Sequence, residues 1–166
     1  MKTLVAFYSR TGNTALLADK ISKLLGADSD RIISKDSYNG WLGYWRGAFH
    51  SLNDTRVAIE DAKLPPAQYD LVIVGGPVWG ARIASPVRTY LRQHGSEFKS
   101  TAFFVTQGGV RPGISFKQMA AMSDKQPIAT LSISSGKFFR PSDDSAVRAL
   151  VDQIKSVLDK EEDKIT

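Results

Sequence analysis

Four times along the chain, a mainly apolar run stops at a turn rich in Gly, Ser or Thr or at a polar connection, and a helical pattern follows. Residues 3–8 (TLVAFY) stop at Ser9, ahead of Leu16, Leu17, Ile21, Leu24 and Leu25. Residues 69–74 (YDLVIV) stop at Gly75-Gly76-Pro77, ahead of Val87, Tyr90 and Leu91. Residues 102–105 (AFFV) end in Thr106-Gln107-Gly108-Gly109, ahead of Phe116, Met119 and Met122. Residues 128–133 precede a polar connection and a closing helix over 143–158, with Asp143 and Asp144 at its start, where the helix dipole favours acid. A strand that faces water on one side alternates, whereas one covered by helices on both faces is apolar throughout, which is the condition of a parallel sheet. With residues 31–34 as a weaker edge strand, the pattern predicts an α/β fold, a doubly wound sheet of five parallel strands with helices on both faces. Ligands of such sheets sit beyond the carboxyl ends of the strands. Three of those ends are the Gly, Ser and Thr-rich turns.

The 166 residues, 42% of them hydrophobic, suit one domain over 1–166 with a core that needs no metal or disulfide. The absence of cysteine excludes thiol catalysis and thiolate metal sites, so any redox chemistry has to come from a bound cofactor. The net charge of +5 is spread along the chain without a nucleic-acid-binding motif, and nucleic acid is not an expected partner. His50 and His94 have no neighbouring ligand pattern, so no metal site is expected. The first apolar run is too short for a secretion signal or a membrane span, and a cytoplasmic location is the expectation.

Ser9-Arg10-Thr11-Gly12-Asn13-Thr14 joins a buried strand to a helix, which aims several backbone N–H groups at one place and makes it a seat for an anion. Ser9, Thr11 and Thr14 add hydroxyls, and Gly12 allows a sharp bend. The same string also suits an ordinary Ser/Thr helix cap. It lacks the Gly-Lys-Ser/Thr of a nucleotide P-loop and the Gly-x-Gly-x-x-Gly of a dinucleotide fold. The first and third runs end without the acidic residues of a receiver domain, and a phosphotyrosine phosphatase would need a cysteine.

The loop resembles that of the flavodoxin family, Ser/Thr-x-Thr-Gly-x-Thr, and the likeness continues to Ala18 and Ile21; Ala6 is smaller than the residue often found in that strand. The resemblance implies strand order 2-1-3-4-5 and the cofactor FMN, its phosphate held by Ser9, Thr11, Asn13 and Thr14 with the backbone of Arg10 and Gly12. It implies a second loop, Pro77-Val78-Trp79-Gly80, laid against the flavin ring, with Trp79 stacking on it and the nearby glycines allowing close approach. Packing of Trp79 into the core is the alternative. Thr106-Gln107-Gly108-Gly109 corresponds to the loop at the ring's other side and polar edge. Unlike many flavodoxins it has no aromatic before Phe116, which leaves one flavin face open to a second substrate. Arg10, Arg82 and Arg111 fall one in each loop and would place positive charge around the flavin, favouring its reduced, anionic form or attracting a nicotinamide cofactor's phosphates. Pro86 suits the first turn of the following helix, with Ser85 as its cap.

Tyr38, Trp41, Trp45 and Phe49 form a stripe at near-helical spacing that reads as core packing, or as a lid or docking surface over the flavin. The connection 134–142 is too short for the insertion of long-chain flavodoxins, and residues 160–166 are expected to fray. Three functions stay open. The chain is an electron carrier serving a redox partner protein, an FMN-dependent oxidoreductase passing electrons from NAD(P)H to a quinone, or a flavin-free scaffold for a protein partner.

Overall fold

In the computed structural model the described residues are 1–36, 43, 57–109, 112–134 and 141–165, without the side chains of 141–143 and 161–165. The Tyr38 to Phe49 stripe, His50, Val110, Arg111 and residues 135–140 lie outside them. In chain order the elements are β1 (Thr3–Phe7), α1 (Asn13–Leu25), β2 (Asp28–Arg31), β3 (Leu71–Trp79), β4 (Arg82–Ile83), α2 (Ser85–His94), β5 (Ser100–Gln107), α3 (Gly113–Ser123), β6 (Thr130–Ser134) and α4 (Pro141–Ile165).

The five main strands pair in parallel in the order β2-β1-β3-β5-β6, with β4 attached to β3 off that path. With β4 set aside this is the expected 2-1-3-4-5 arrangement. Alternation survives inside the apolar runs as a choice between two buried layers. Leu4, Ala6, Val72, Val74, Phe103 and Val105 pack with Val87, Leu91 and Met119 of α2 and α3. Val5, Phe7, Ile73, Phe104 and Leu131 pack with Leu17, Ile21, Val147 and Ile154 of α1 and α4. Each fully buried side chain of this size contributes about 1.5–3 kcal/mol relative to an exposed one, so both layers are needed.

Four features differ from the sequence expectation. The edge strand lies at Asp28–Arg31 rather than 31–34, and it is held by polar bonds instead of an apolar face. The buried Asp30 carboxylate accepts from the backbone N–H groups of Lys63 and Leu64 at 2.8 and 3.1 Å, and Asp28 accepts from the Tyr69 hydroxyl at 2.8 Å. Secondly, β3 does not stop at Gly75-Gly76 but runs on through Trp79. Those glycines make room inside the core. A Cβ on Gly75 would lie 2.0 Å from Cζ of Phe104, and one on Gly76 would lie 2.5 Å from a Val87 methyl. Their part is packing, and close approach to a ligand falls to residues further along. Thirdly, Ser85 does not cap α2. The N-cap position is Ala84, and the Ser85 hydroxyl accepts from Arg88 Nη2 at 2.9 Å. The closing helix begins at Pro141 and continues to Ile165, past the expected fraying point.

The extension of β3 turns back into β4 through Gly80 and Ala81, at φ 56° and 64°. Two positive φ values in a two-residue connection are the signature of a type I′ hairpin. It pairs Trp79 with Arg82 and Val78 with Ile83.

Candidate functional site

Beyond the carboxyl ends of β1, β3 and β5 lies a cleft of about 170 Å³, lined by Arg10, Thr11, Asn13, Thr14, Pro77, Val78, Trp79, Thr106, Gln107 and Gly108. Every one of these is among the fourteen residues that sequence singled out. The other four, Ser9, Gly12, Gly80 and Gly109, are turn residues that shape the lining without forming it.

In the first loop Gly12 adopts φ 98°, a region that residues with a Cβ avoid, and a Cβ there would meet nothing within 4 Å. Gly12 is therefore required for its backbone. It also occupies the N-cap position of α1 with no side-chain cap bond, so the first-turn N–H groups, which have no intrahelical acceptor, are not closed off by a hydroxyl. The cap reading of this string does not hold. Ser9 is buried, and its Oγ accepts from the Gly12 N–H at 3.1 Å, which tightens the loop. Arg31, at the end of β2, donates from Nη2 to the Ser9 carbonyl at 2.9 Å and ties the loop to the edge strand.

The first and third loops meet through Thr14 and Thr106, both buried, whose hydroxyl oxygens are 2.7 Å apart. Two hydroxyls carry two protons, and their mutual bond uses one. The dyad keeps a second donor for a third group. The third loop is further shaped by Gln107, whose Oε1 accepts from the Gly109 N–H at 2.8 Å across the left-handed Gly109.

Trp79 is 8% exposed and belongs to the core cluster as well as to the cleft lining. Core packing, the alternative to stacking, thus holds for part of the ring, because β3 carries Trp79 to the end of a buried strand. Tyr8 meets it edge-on, with ring centroids 5.7 Å apart and planes at 89°. Burial pushes the Tyr8 phenol up to about 12, against the opposing pull of Arg10 and then Arg31. Tyr8 and Arg31 are thus supports of the site that sequence reasoning missed. Tyr8 closed an apolar run, and Arg31 was read only as an edge-strand residue.

Of the three loop arginines, Arg10 lines the cleft and Arg111 lies outside the described residues. Arg82 does not line this cleft. The antiparallel turn carries it to a separate cavity between α2 and α3. Phe116 packs partly buried against the core. His94 contacts Glu97 through Nδ1 at 3.1 Å, and no cluster of candidate metal ligands occurs among the described residues. No helix among them is long and apolar enough to cross a membrane.

Several solved structures share this fold. A protein of Bacteroides eggerthii described as a flavoprotein is 25% identical, with 91% of this chain and 96% of that one covered and a TM-score of 0.73. A Lactobacillus acidophilus flavoprotein crystallised in complex with FMN is 22% identical, with 79% and 92% covered and a TM-score of 0.67. A Streptococcus pneumoniae flavodoxin is 11% identical, with 94% and 99% covered and a TM-score of 0.62. No curated protein matches the sequence. The family profile described as Flavodoxin matches residues 2–154, nearly the whole chain, and with the sheet order and the three-loop cleft in place the chain belongs to the flavodoxin family.

Proposed function

We propose that the chain is an FMN-binding redox protein that passes electrons between a reductase or NAD(P)H and an acceptor. The observation that carries this reading is the cleft itself: the described residues that line it come from the carboxyl ends of β1, β3 and β5 and from the first turn of α1, and the phosphate side is furnished with hydrogen-bond donors. The uncapped first turn of α1, the spare proton of the Thr14–Thr106 dyad and the Arg10 side chain fit a phosphate dianion. The described lining includes no acidic residue to repel it. In this reading Thr11, Asn13 and Thr14 with the backbone of Arg10 hold the phosphate, and Ser9 and Gly12, bonded to each other, set the turn around it. Pro77, Val78, Trp79 and Gly80 flank the ring, and Thr106, Gln107, Gly108 and Gly109 take its polar edge. Bound FMN would supply the electron transfer, and the protein's part is to bind, orient and tune.

The part of the cleft lined by described residues, about 170 Å³, is smaller than the roughly 300–1,000 Å³ of pockets that enclose a ligand. In this reading it holds the phosphate end and leaves a ring edge outward for a redox partner. The lack of a third-loop aromatic, with Phe116 turned to the core, supports the alternative in which a quinone or nicotinamide stacks on the ring, as in an NAD(P)H-dependent FMN quinone reductase. Purified protein is examined for a flavin absorption spectrum and then mixed with NADPH, with and without a quinone. Bleaching by NADPH alone supports the reductase, and flavin that needs a separate reductase supports the carrier. Failure to take up FMN defeats both and leaves the protein-binding scaffold.

A further inference from the structure

Arg31 ends the edge strand β2 and does not line the cleft, yet its side chain reaches the loop at Ser9 to Thr14. In register it lies beside Phe7, so it stands on the face of the sheet that α1 covers, at the end where α1 begins. Asp28 and Asp30 stand on the opposite face, the first engaged by the Tyr69 hydroxyl and the second by the Lys63 and Leu64 N–H groups. Among the described residues no carboxylate pairs with the Arg31 guanidinium. Its bond goes to a neutral acceptor, the Ser9 carbonyl, at 2.9 Å. A second cation is thereby set near Arg10 at the positive end of α1, where the helix dipole disfavours positive charge. An anion seated in the loop reverses that balance.

The carbonyl of Ser9 and the N–H of Arg10 belong to one planar trans peptide and point in opposite directions. A cationic donor fixed on the carbonyl therefore turns the Arg10 N–H away from Arg31. It also strengthens that N–H as a donor, because hydrogen bonds in a chain polarise one another. Arg10 itself lines the cleft. We infer that Arg31 is a positioning residue for the phosphate group: acting through the Ser9–Arg10 peptide, it holds a donor of the seat in place and makes the seat favour doubly over singly charged phosphate. This goes beyond tying the loop to the edge strand, because it depends on the charge of Arg31 as well as on its bond. For FMN the inference rests on the redox reading above, whereas for a free phosphate ion it does not.

The test compares Arg31→Gln, which keeps an N–H donor and loses the charge, with Arg31→Lys, which keeps the charge. Arg31 is exposed, and circular dichroism checks the fold of each variant. Dissociation constants for FMN, riboflavin and inorganic phosphate are measured at fixed ionic strength, and the phosphorus NMR shift of bound FMN is followed against pH. In Arg31→Gln, binding of FMN and of phosphate is expected to weaken about three- to tenfold, while riboflavin, which has no phosphate, binds as before. The bound phosphate should take its second charge at a higher pH than in the wild type, closer to the value of about 6 for a free phosphate ester. Arg31→Lys should keep most of the wild-type behaviour. A purely structural tie would weaken both variants alike and leave the ionisation of bound FMN as in the wild type. That result overturns the inference, as does FMN binding indifferent to both substitutions. If FMN is not taken up, the redox reading fails and inorganic phosphate decides alone. Binding weakened by Arg31→Gln and kept by Arg31→Lys then supports the inference, and binding indifferent to Arg31→Gln, or none that saturates up to about 10 mM, overturns it.

Discussion

The Thr14–Thr106 hydroxyl pair makes two separable contributions, and Thr→Val substitutions, nearly isosteric, divide them. Without flavin, Thr14→Val leaves the Thr106 hydroxyl buried without its 2.7 Å partner. An orphaned buried polar group costs about 1–3 kcal/mol. For a domain of this size that lowers Tm by about 2–4 °C per kcal/mol. Thr106→Val is expected to behave alike. The double substitution removes both polar groups together and is expected to cost about as little as one single substitution, a coupling of about 1 kcal/mol or more in the cycle. Flavin affinity should instead be asymmetric. If Thr106 donates to Thr14, the spare proton belongs to Thr14, on the first turn of α1, and a charge-assisted bond to phosphate is worth about 1.5–3 kcal/mol. Thr14→Val should then weaken FMN binding by about tenfold or more, and Thr106→Val by only a few-fold. Denaturant titration of the apoproteins and quenching of flavin fluorescence on binding measure the two effects. Additive stability losses with unchanged FMN dissociation in both variants would refute the reasoning.

Other outcomes follow from single contacts. Gly75→Ala pushes a methyl to within 2.0–2.3 Å of three carbons of the fully buried Phe104 ring and is expected to cost about 3 kcal/mol or more; Phe104→Leu in the same chain should recover part of the loss, and a mutant as stable as the parent in denaturant would contradict the packing role. Gly12→Ala meets no neighbour, so its cost is the left-handed backbone alone, about 1–2 kcal/mol, and it should weaken FMN binding as the loop relaxes; unaltered stability and affinity would show that the turn tolerates a Cβ. Burial first, and for Tyr69 also the Asp28 carboxylate, raise the Tyr8 and Tyr69 phenols from 10.0 to about 12. Folded values above unfolded ones mean that this stability is whole below pH 10 and is lost as pH rises towards 12. Tyrosinate absorbance should therefore rise together with the loss of ellipticity, and full ionisation of all five tyrosines in a still folded protein would exclude it.

Four of the five main strands were legible because covered parallel strands are largely apolar and their runs stand out from the segments around them. Their limits were not, because they depend on residues distant in sequence. Gly75-Gly76-Pro77 reads locally as a breaker, yet Phe104 on β5 and Val87 on α2 fill the space above those glycines and keep the strand going. The segment Asp28 to Arg31 carries no apolar face, and what makes it a strand is a pair of backbone donors at Lys63 and Leu64, more than thirty residues away. The cleft lining was legible because each loop announces itself by composition. Arg82 was misplaced because a two-residue reversal at Gly80-Ala81, where a non-glycine residue takes a positive φ, sends its side chain to a different face from the loop it follows.

These misreadings share a physical origin, and it bears on how the site works. Trp79 does not hang in a surface loop. It ends the longest described strand, whose neighbours Phe104 and Val87 occupy the volume that Gly75 and Gly76 leave, and Tyr8 from β1 braces its ring edge-on. The first and third loops are joined by a buried hydroxyl pair, and the first is tied to the edge strand by Arg31. The aromatic wall and the phosphate seat are therefore positioned by the core, before any ligand arrives, and less ordering is left for binding to do. A substitution in the β3–β5 packing should thus reach the cleft as a displacement of Trp79.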